Sequence, residues 1–288
     1  MVASLELIDR FRALQVLEST TYDLTNYTSD FTPNQRQYEK SDLVNDRRLW
    51  WNDVCCCMYE FVDSNLLDRE LVYIALNYMS HFLKRNPFIN HSSHIFYLIG
   101  MTSMYMASKI HRRDGKGFAV VFFVDLSKEI FTEYDIINME ECMLKSLQWR
   151  MHPPTPQSYV DLLIIILHRD ACSPFTRHAL FERIIFLLEL STTLEFFRER
   201  KPSSIAVAAF IEVMEHEEKP NVPKQSFRTH FKFFVRSLAG IDCDSIDVVE
   251  CRDAMKVVHK FALRHTRDKR MKEKERIGSP VASDTFCL

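Results

Sequence analysis

Three prolines within four positions, in the run His152-Pro153-Pro154-Thr155-Pro156, divide this chain just past its middle. Proline lacks an amide hydrogen and its ring clashes with the preceding helical turn, so no helix crosses that run. A stiff, extended connector is expected there, with the Thr155 hydroxyl capping a new helix and Pro156 at its first position. On both sides apolar residues recur at helical spacing. Before the connector, helices are predicted over Arg47–Asp63, from a cap at Asp68 to the stop at Asn86-Pro87, over His91–Ile110, over Phe118–Lys128, and from Glu133 or Asp135 to Leu147. After it they are predicted over Gln157–His168, Phe175–Phe197, Pro202–Glu217, Pro223–Leu238 and Ser245–Arg264. The predicted fold is therefore all-α: two tandem five-helix repeats, residues 45–152 and 153–265. An N-terminal extension (1–44), loosely ordered apart from a short amphipathic piece through Leu5, Ile8, Phe11, Leu14 and Leu17, precedes them. A mixed-charge, disordered tail (266–288) follows.

Composition supports helices and excludes several functions. Only five glycines occur in 288 residues, too few for a fold rich in turns or phosphate-binding loops. A net charge of −2 lacks the basic field of a nucleic-acid binder. None of the eight cysteines forms a C-x-x-C pair, so free thiols in a reducing compartment, nucleus or cytoplasm, are expected. Cys55, Cys56 and Cys57 point roughly 100° apart on a helix, which suits three different neighbours better than one metal. His91 and His94 read as a helix start, since a metal needs more ligands than two. No glycine-rich loop, nucleophile elbow or H-E-x-x-H is present, so neither an enzyme, a cofactor nor a small-molecule substrate is expected. Asp9, Arg10 and Arg12 interrupt the first apolar stretch, which argues against a secretory leader. The longest uncharged run, Ile95–Ser108, is too short to span a membrane. Cys287 next to the last residue is misplaced for prenylation.

Two charges break the pattern. Lys109 ends the long uncharged run, and Glu140 shares a helical face with Ile136, Met143 and Leu147. An unpaired charge buried among apolar side chains costs several kcal/mol. Spacing allows two outcomes: the lysine reaches water at its helix end while the glutamate pairs with it or with Lys145, or both are offered to another protein.

The surrounding residues resemble the cyclin box. Asp68 to Leu83 is similar to that family's second helix, and Gly100 to Lys109, ending Ala107-Ser108-Lys109, to its central helix. Phe131 to Glu140 with Met139-Glu140, continuing through Leu147-Gln148-Trp149, resembles the fifth. Arg48 and Asp53 fit the first, and Arg200 to Ala209 is like the third helix of the second repeat. The Trp149–Pro156 wording resembles diatom-type cyclins, which are related to D-type cyclins. The resemblance implies a non-catalytic regulatory subunit that binds and activates a cyclin-dependent Ser/Thr protein kinase in control of the cell cycle. Lys109 and Glu140 would grip the kinase's mobile helix, with Ile110, Leu144, Trp149 and Met151 as apolar contacts. A substrate-docking groove would fall at Arg47, Trp50, Trp51, Val54 and Tyr97, although Arg47, Val54, Cys57 and Tyr97 replace the family's usual methionine, tryptophan, glutamate and glutamine. Ser80 stands where the family places the aspartate that pairs with Arg48. His111, Arg112 and Arg113 follow Lys109 where acidic residues are usual. Ser279-Pro280 is a candidate phosphosite. The alternative is a cyclin-fold transcription regulator or scaffold working without a kinase, which would call for a basic surface and a zinc ribbon.

Overall fold

The computed structural model describes residues 2–23, 41–87, 92–112, 117–166, 174–216, 231–237 and 240–260. The expected tail with Ser279-Pro280, His91, Arg113, Cys172, Cys287 and the helix start at Pro223 lie outside the described residues. Every regular element among the described residues is a helix. After α1 (Val2–Val16) and a π-turn (Leu17–Thr21), the first repeat holds α2 (Ser41–Ser64), α3 (Glu70–Arg85), α4 (Ser93–His111), α5 (Val120–Leu126) and α6 (Glu133–Ser146). The second holds α7 (Pro156–Ile166), α8 (Pro174–Ser191), the single turn α9 (Glu195–Arg198), α10 (Pro202–His216), α11 (231–237) and α12 (246–260). Among the described residues no helix is long and apolar enough to cross a membrane.

Local chemistry sets the helix ends. Asp68 Oδ1 accepts the Glu70 amide at 3.0 Å at the head of α3. Thr132 and Asp135 form a capping box at the head of α6. Thr155 Oγ1 accepts the Ser158 amide at 3.0 Å with Pro156 first in α7, and the same hydroxyl donates to Glu70 of α3, tying the connector back to the first repeat.

Each repeat has its own apolar core. Tyr78, Met79, Ile99, Met106, Ile136 and Met143 lie at the centre of the first. Tyr159, Leu163, Ile184, Phe210 and Val248 lie at the centre of the second. Phe123 of α5 is fully buried against Phe61 and Tyr105, so the β-branched run at 120–124 is helical because its aromatic face fills the bundle. Cys55 is buried while Cys56 and Cys57 are exposed, so the three do not share one environment.

Two expectations change. The N-terminal extension is seated on the second repeat: Phe11 is buried and packs against Tyr159 at 5.8 Å between ring centroids. Burying one phenylalanine contributes about 1.5–3 kcal/mol toward seating this helix, and Leu7 and Leu14 pack against the same core. Glu18 in the π-turn is 5% exposed, yet its carboxylate accepts the Tyr159 hydroxyl at 2.7 Å and the Ser203 amide and hydroxyl at 3.1 and 2.9 Å. It thereby closes the N-terminal turn of α10 from outside. The predicted helix Phe175–Phe197 is also broken, at Ser191–Leu194. There the Ser191, Thr192 and Thr193 hydroxyls donate to the carbonyls of Leu188, Glu189 and Leu190, which ends the helix. The break turns the Thr192 carbonyl toward the first repeat, where it accepts Trp51 Nε1 at 2.9 Å.

Candidate protein-docking surface

α4 runs buried through Met104, Met106, Ala107 and Ser108, then leaves the core at Lys109 and Ile110. α6 lies beside it, with Ile136, Met143 and Leu147 buried. Lys109 Nζ donates to Glu140 Oε1 at 3.0 Å. The lysine side chain is 48% exposed and the glutamate 13%. The ammonium also stands 5.2 Å from the Tyr105 ring centroid. Gly117 returns so close that a Cβ there would meet Lys109 Cα at 3.3 Å, so glycine permits the chain to press on the lysine's backbone.

Partial burial disfavours the charged lysine, but the hydrogen bond and charge of Glu140, together with Tyr105, outweigh it and raise its pKa. Lys109 is therefore a firm cation. Exposed ion pairs contribute only about 0–1 kcal/mol to stability. An ammonium has three N–H donors and a carboxylate about four acceptor sites, so one mutual bond leaves capacity for a second protein.

The elements that carry the pair also expose apolar side chains. Trp149 is 71% exposed, Ile137 47% and Ile110 37%, with Leu144 partly buried among them. Trp149 is presented by a turn in which Gln148 (φ 54°) and Trp149 (φ 61°) are both left-handed. Each non-glycine residue held so costs on the order of 1 kcal/mol. Bonds from the Gln148 and Trp149 amides to the Lys145 and Leu144 carbonyls, both 3.1 Å, hold the turn. Ile137, three residues before Glu140, is a member the sequence reading missed. The signal was available: adjacent Ile136 and Ile137 on one helix cannot both face the core.

Two predicted groups are corrected. Met151 is 7% exposed, its side chain in the first repeat's core, so only its backbone serves the neighbourhood. The predicted groove is not one surface. Trp51 and Val54 are 2% and 5% exposed. Trp51 lies in the seam between repeats, with the Arg198 guanidinium 4.2 Å from its ring centroid. Val54 faces Gly100 where α2 and α4 cross. Arg47, Trp50 and Tyr97 remain partly accessible, with Trp50 against Phe96 and the Tyr97 hydroxyl donating to Asp53 at 2.9 Å. Among the described residues, no group of three or more His, Cys, Asp or Glu could hold a metal.

Fold and surface define a tandem-repeat helical protein whose first repeat presents a paired lysine and carboxylate amid exposed apolar side chains. The family model "Cyclin, N-terminal domain" matches residues 24–152. The chain is 28% identical over 148 residues to putative cyclin-D6-1 of Arabidopsis thaliana, covering 50% of this chain and 47% of that protein. It is 24% identical over 162 residues to cyclin-D4-1 of the same plant, covering 55% and 50%. It is 28% identical over 94 residues to G2/mitotic-specific cyclin C13-1 of Daucus carota, covering 33% and 26%. The chain thus spans half or less of the length of these relatives. A viral cyclin from herpesvirus saimiri shares the fold at a TM-score of 0.59 and 16% identity, over 86% of this chain and 97% of that one. A chain of the CAK complex from Chaetomium thermophilum, bound to ATP-gamma-S, shares it at 0.53 and 12%, over 98% and 93%. Residues 24–152 of this chain belong to the cyclin N-terminal domain family.

Proposed function

We propose that this chain is a non-catalytic regulatory subunit that binds and allosterically activates a cyclin-dependent Ser/Thr protein kinase. The observation that carries the reading is the Lys109–Glu140 pair, 3.0 Å apart at the surface, with Ile110, Ile137 and Trp149 exposed on the elements that bear it or follow it. Charge-assisted hydrogen bonds beside an aromatic anchor are what a mobile helix needs for a specific grip. The lysine suits backbone carbonyls at one end of that helix and the carboxylate suits an amide. A kinase is active only when its own lysine–glutamate pair forms and its activation loop opens. Holding the mobile helix inward shifts that population without any chemistry by the partner. The chain named in the CAK complex shares this fold, which supports a kinase partner.

The test is co-purification of the full chain with a panel of cyclin-dependent kinases, comparing wild type with Lys109→Ala/Glu140→Ala. The double variant is expected to fold with nearly unchanged Tm and to lose kinase capture and activation. Full activation by the double variant would refute the reading.

A further inference from the structure

Two residues past Lys109, α4 ends in a polar cluster that the ion pair does not use. The Tyr78 hydroxyl of α3, fully buried, donates to the Met151 carbonyl of the connector. His111 Nε2 lies 2.7 Å from that same carbonyl and 2.9 Å from the Tyr78 oxygen. A carbonyl only accepts, and the single tyrosine proton is committed to it. Nε2 therefore faces two oxygens and must carry hydrogen, which fixes the tautomer. Burial lowers the His111 pKa, as does neighbouring His152, against the Met151 hydrogen bond, so the ring is neutral near pH 7. The groups that face it are Tyr78 from α3, the Met151 carbonyl, and His152 from the connector with its ring edge-on at 4.9 Å; on its own segment Lys109 turns to Glu140 and Arg112 to the Phe118 ring. The cluster continues outward: the His152 amide donates to the Tyr22 hydroxyl at 2.9 Å, and Arg150 to the Thr21 carbonyl at 3.3 Å.

We propose that His111 is a positioning residue of the docking surface, whose Nε2–H bond to the Met151 carbonyl fixes Lys109 relative to the turn bearing Trp149. The inference rests on the kinase-docking reading above. Lys109 stands two residues before His111, and Trp149 two before Met151. The two halves of the surface thus come from different segments, and beyond the packing of α4 on α6 the clamp joins the end of α4 directly to the connector that follows Trp149. The last turn of a helix frays unless its end is held. Ordering two segments at the moment of binding costs affinity, and a surface held in advance avoids that cost.

Three variants separate the clamp from bulk packing. His111→Phe keeps the ring and removes the donor, His111→Gln places an amide N–H near Nε2, and Tyr78→Phe removes the hydroxyl. Affinity of the full chain for a kinase captured by wild type is read by calorimetry near neutral pH. His111→Phe is expected to weaken binding about ten-fold and His111→Gln to recover it to within about three-fold. Val258→Ala, a core truncation in the second repeat, is expected to lower Tm and leave affinity unchanged. Wild-type affinity in His111→Phe, or no recovery in His111→Gln, would overturn the proposal. Nitrogen NMR of the free chain needs no kinase: it should show His111 as the Nε2–H tautomer and rising mobility at Lys109 and Trp149 in His111→Phe. An Nδ1–H tautomer or unchanged mobility would overturn the clamp. A chain with that tautomer and loosening that captures no kinase would count against the docking reading instead.

Discussion

His81 lies inside the first repeat at 3% exposure, with the Tyr22 ring edge-on at 5.7 Å. Burial, helped by Arg85, Lys84 and Arg150, lowers its pKa from 6.5 to about 4. The unfolded chain then takes up this proton first as pH falls. The stability tied to a neutral His81 is present above about 6.5 and is lost toward about 4, by roughly 3 kcal/mol in all. His81→Gln should flatten the stability curve across that window, as measured by denaturant unfolding at a series of pH values. An equal slope in variant and wild type would show that another group titrates there. At this scale the sequence disclosed the anomalous charges, because a lysine after an uncharged run and a glutamate on an apolar stripe stand out by type alone. It did not disclose that Trp51, Val54 and Met151 are covered. Spacing assigns a residue to a helix face, and what packs against that face comes from distant segments such as Thr192 and Arg198.

At the scale of elements, α2 and α4 cross closely where Val54 faces Gly100. A Cβ on Gly100 would stand 2.8 and 3.1 Å from the two Val54 methyls. Alanine gains about 1 kcal/mol in a helix interior, whereas overpacking a close contact costs about 1–3 kcal/mol. Gly100→Ala should therefore be mildly destabilising on its own. In a Val54→Ala background, where the obstruction is gone, the same change should become neutral or stabilising. A double-mutant cycle by thermal unfolding checks the reversal, and a constant effect in both backgrounds would refute the tight crossing. Helix starts were legible where their chemistry is local, as at Asp68 and Thr155-Pro156, and to within a residue at Glu133, whose Thr132 cap was not read. The break after Ser191 was not. Serine and threonine are tolerated within helices, and here they end one to expose a carbonyl that Trp51, far away in sequence, needs.

The whole molecule is two cores joined along one seam and strapped at the connector. Trp51 and Tyr59 from α2 bond to Thr192. Arg69 pairs with Glu189, and Thr155 bonds to Glu70. The strap α1 sits on the second repeat and reaches the connector through Tyr22. The tandem organisation was readable from the proline run and the helical rhythm on each side. The seat of α1 was not, since an amphipathic helix advertises an apolar stripe without naming the groove that receives it. Seam and connector tie the first repeat to the second, and the proposal for this chain is that Lys109 and Glu140 on the first repeat address a kinase. The most direct measurement exchanges the two residues, Lys109→Glu with Glu140→Lys, and reads kinase affinity beside Tm. The exchange keeps opposite charges side by side, so the fold should lose under about 1 kcal/mol, while the polarity offered to the partner is inverted. The account predicts near-native Tm and at least about 100-fold weaker kinase binding. Wild-type binding by the exchanged chain would contradict it, because the pair would then serve only its own fold.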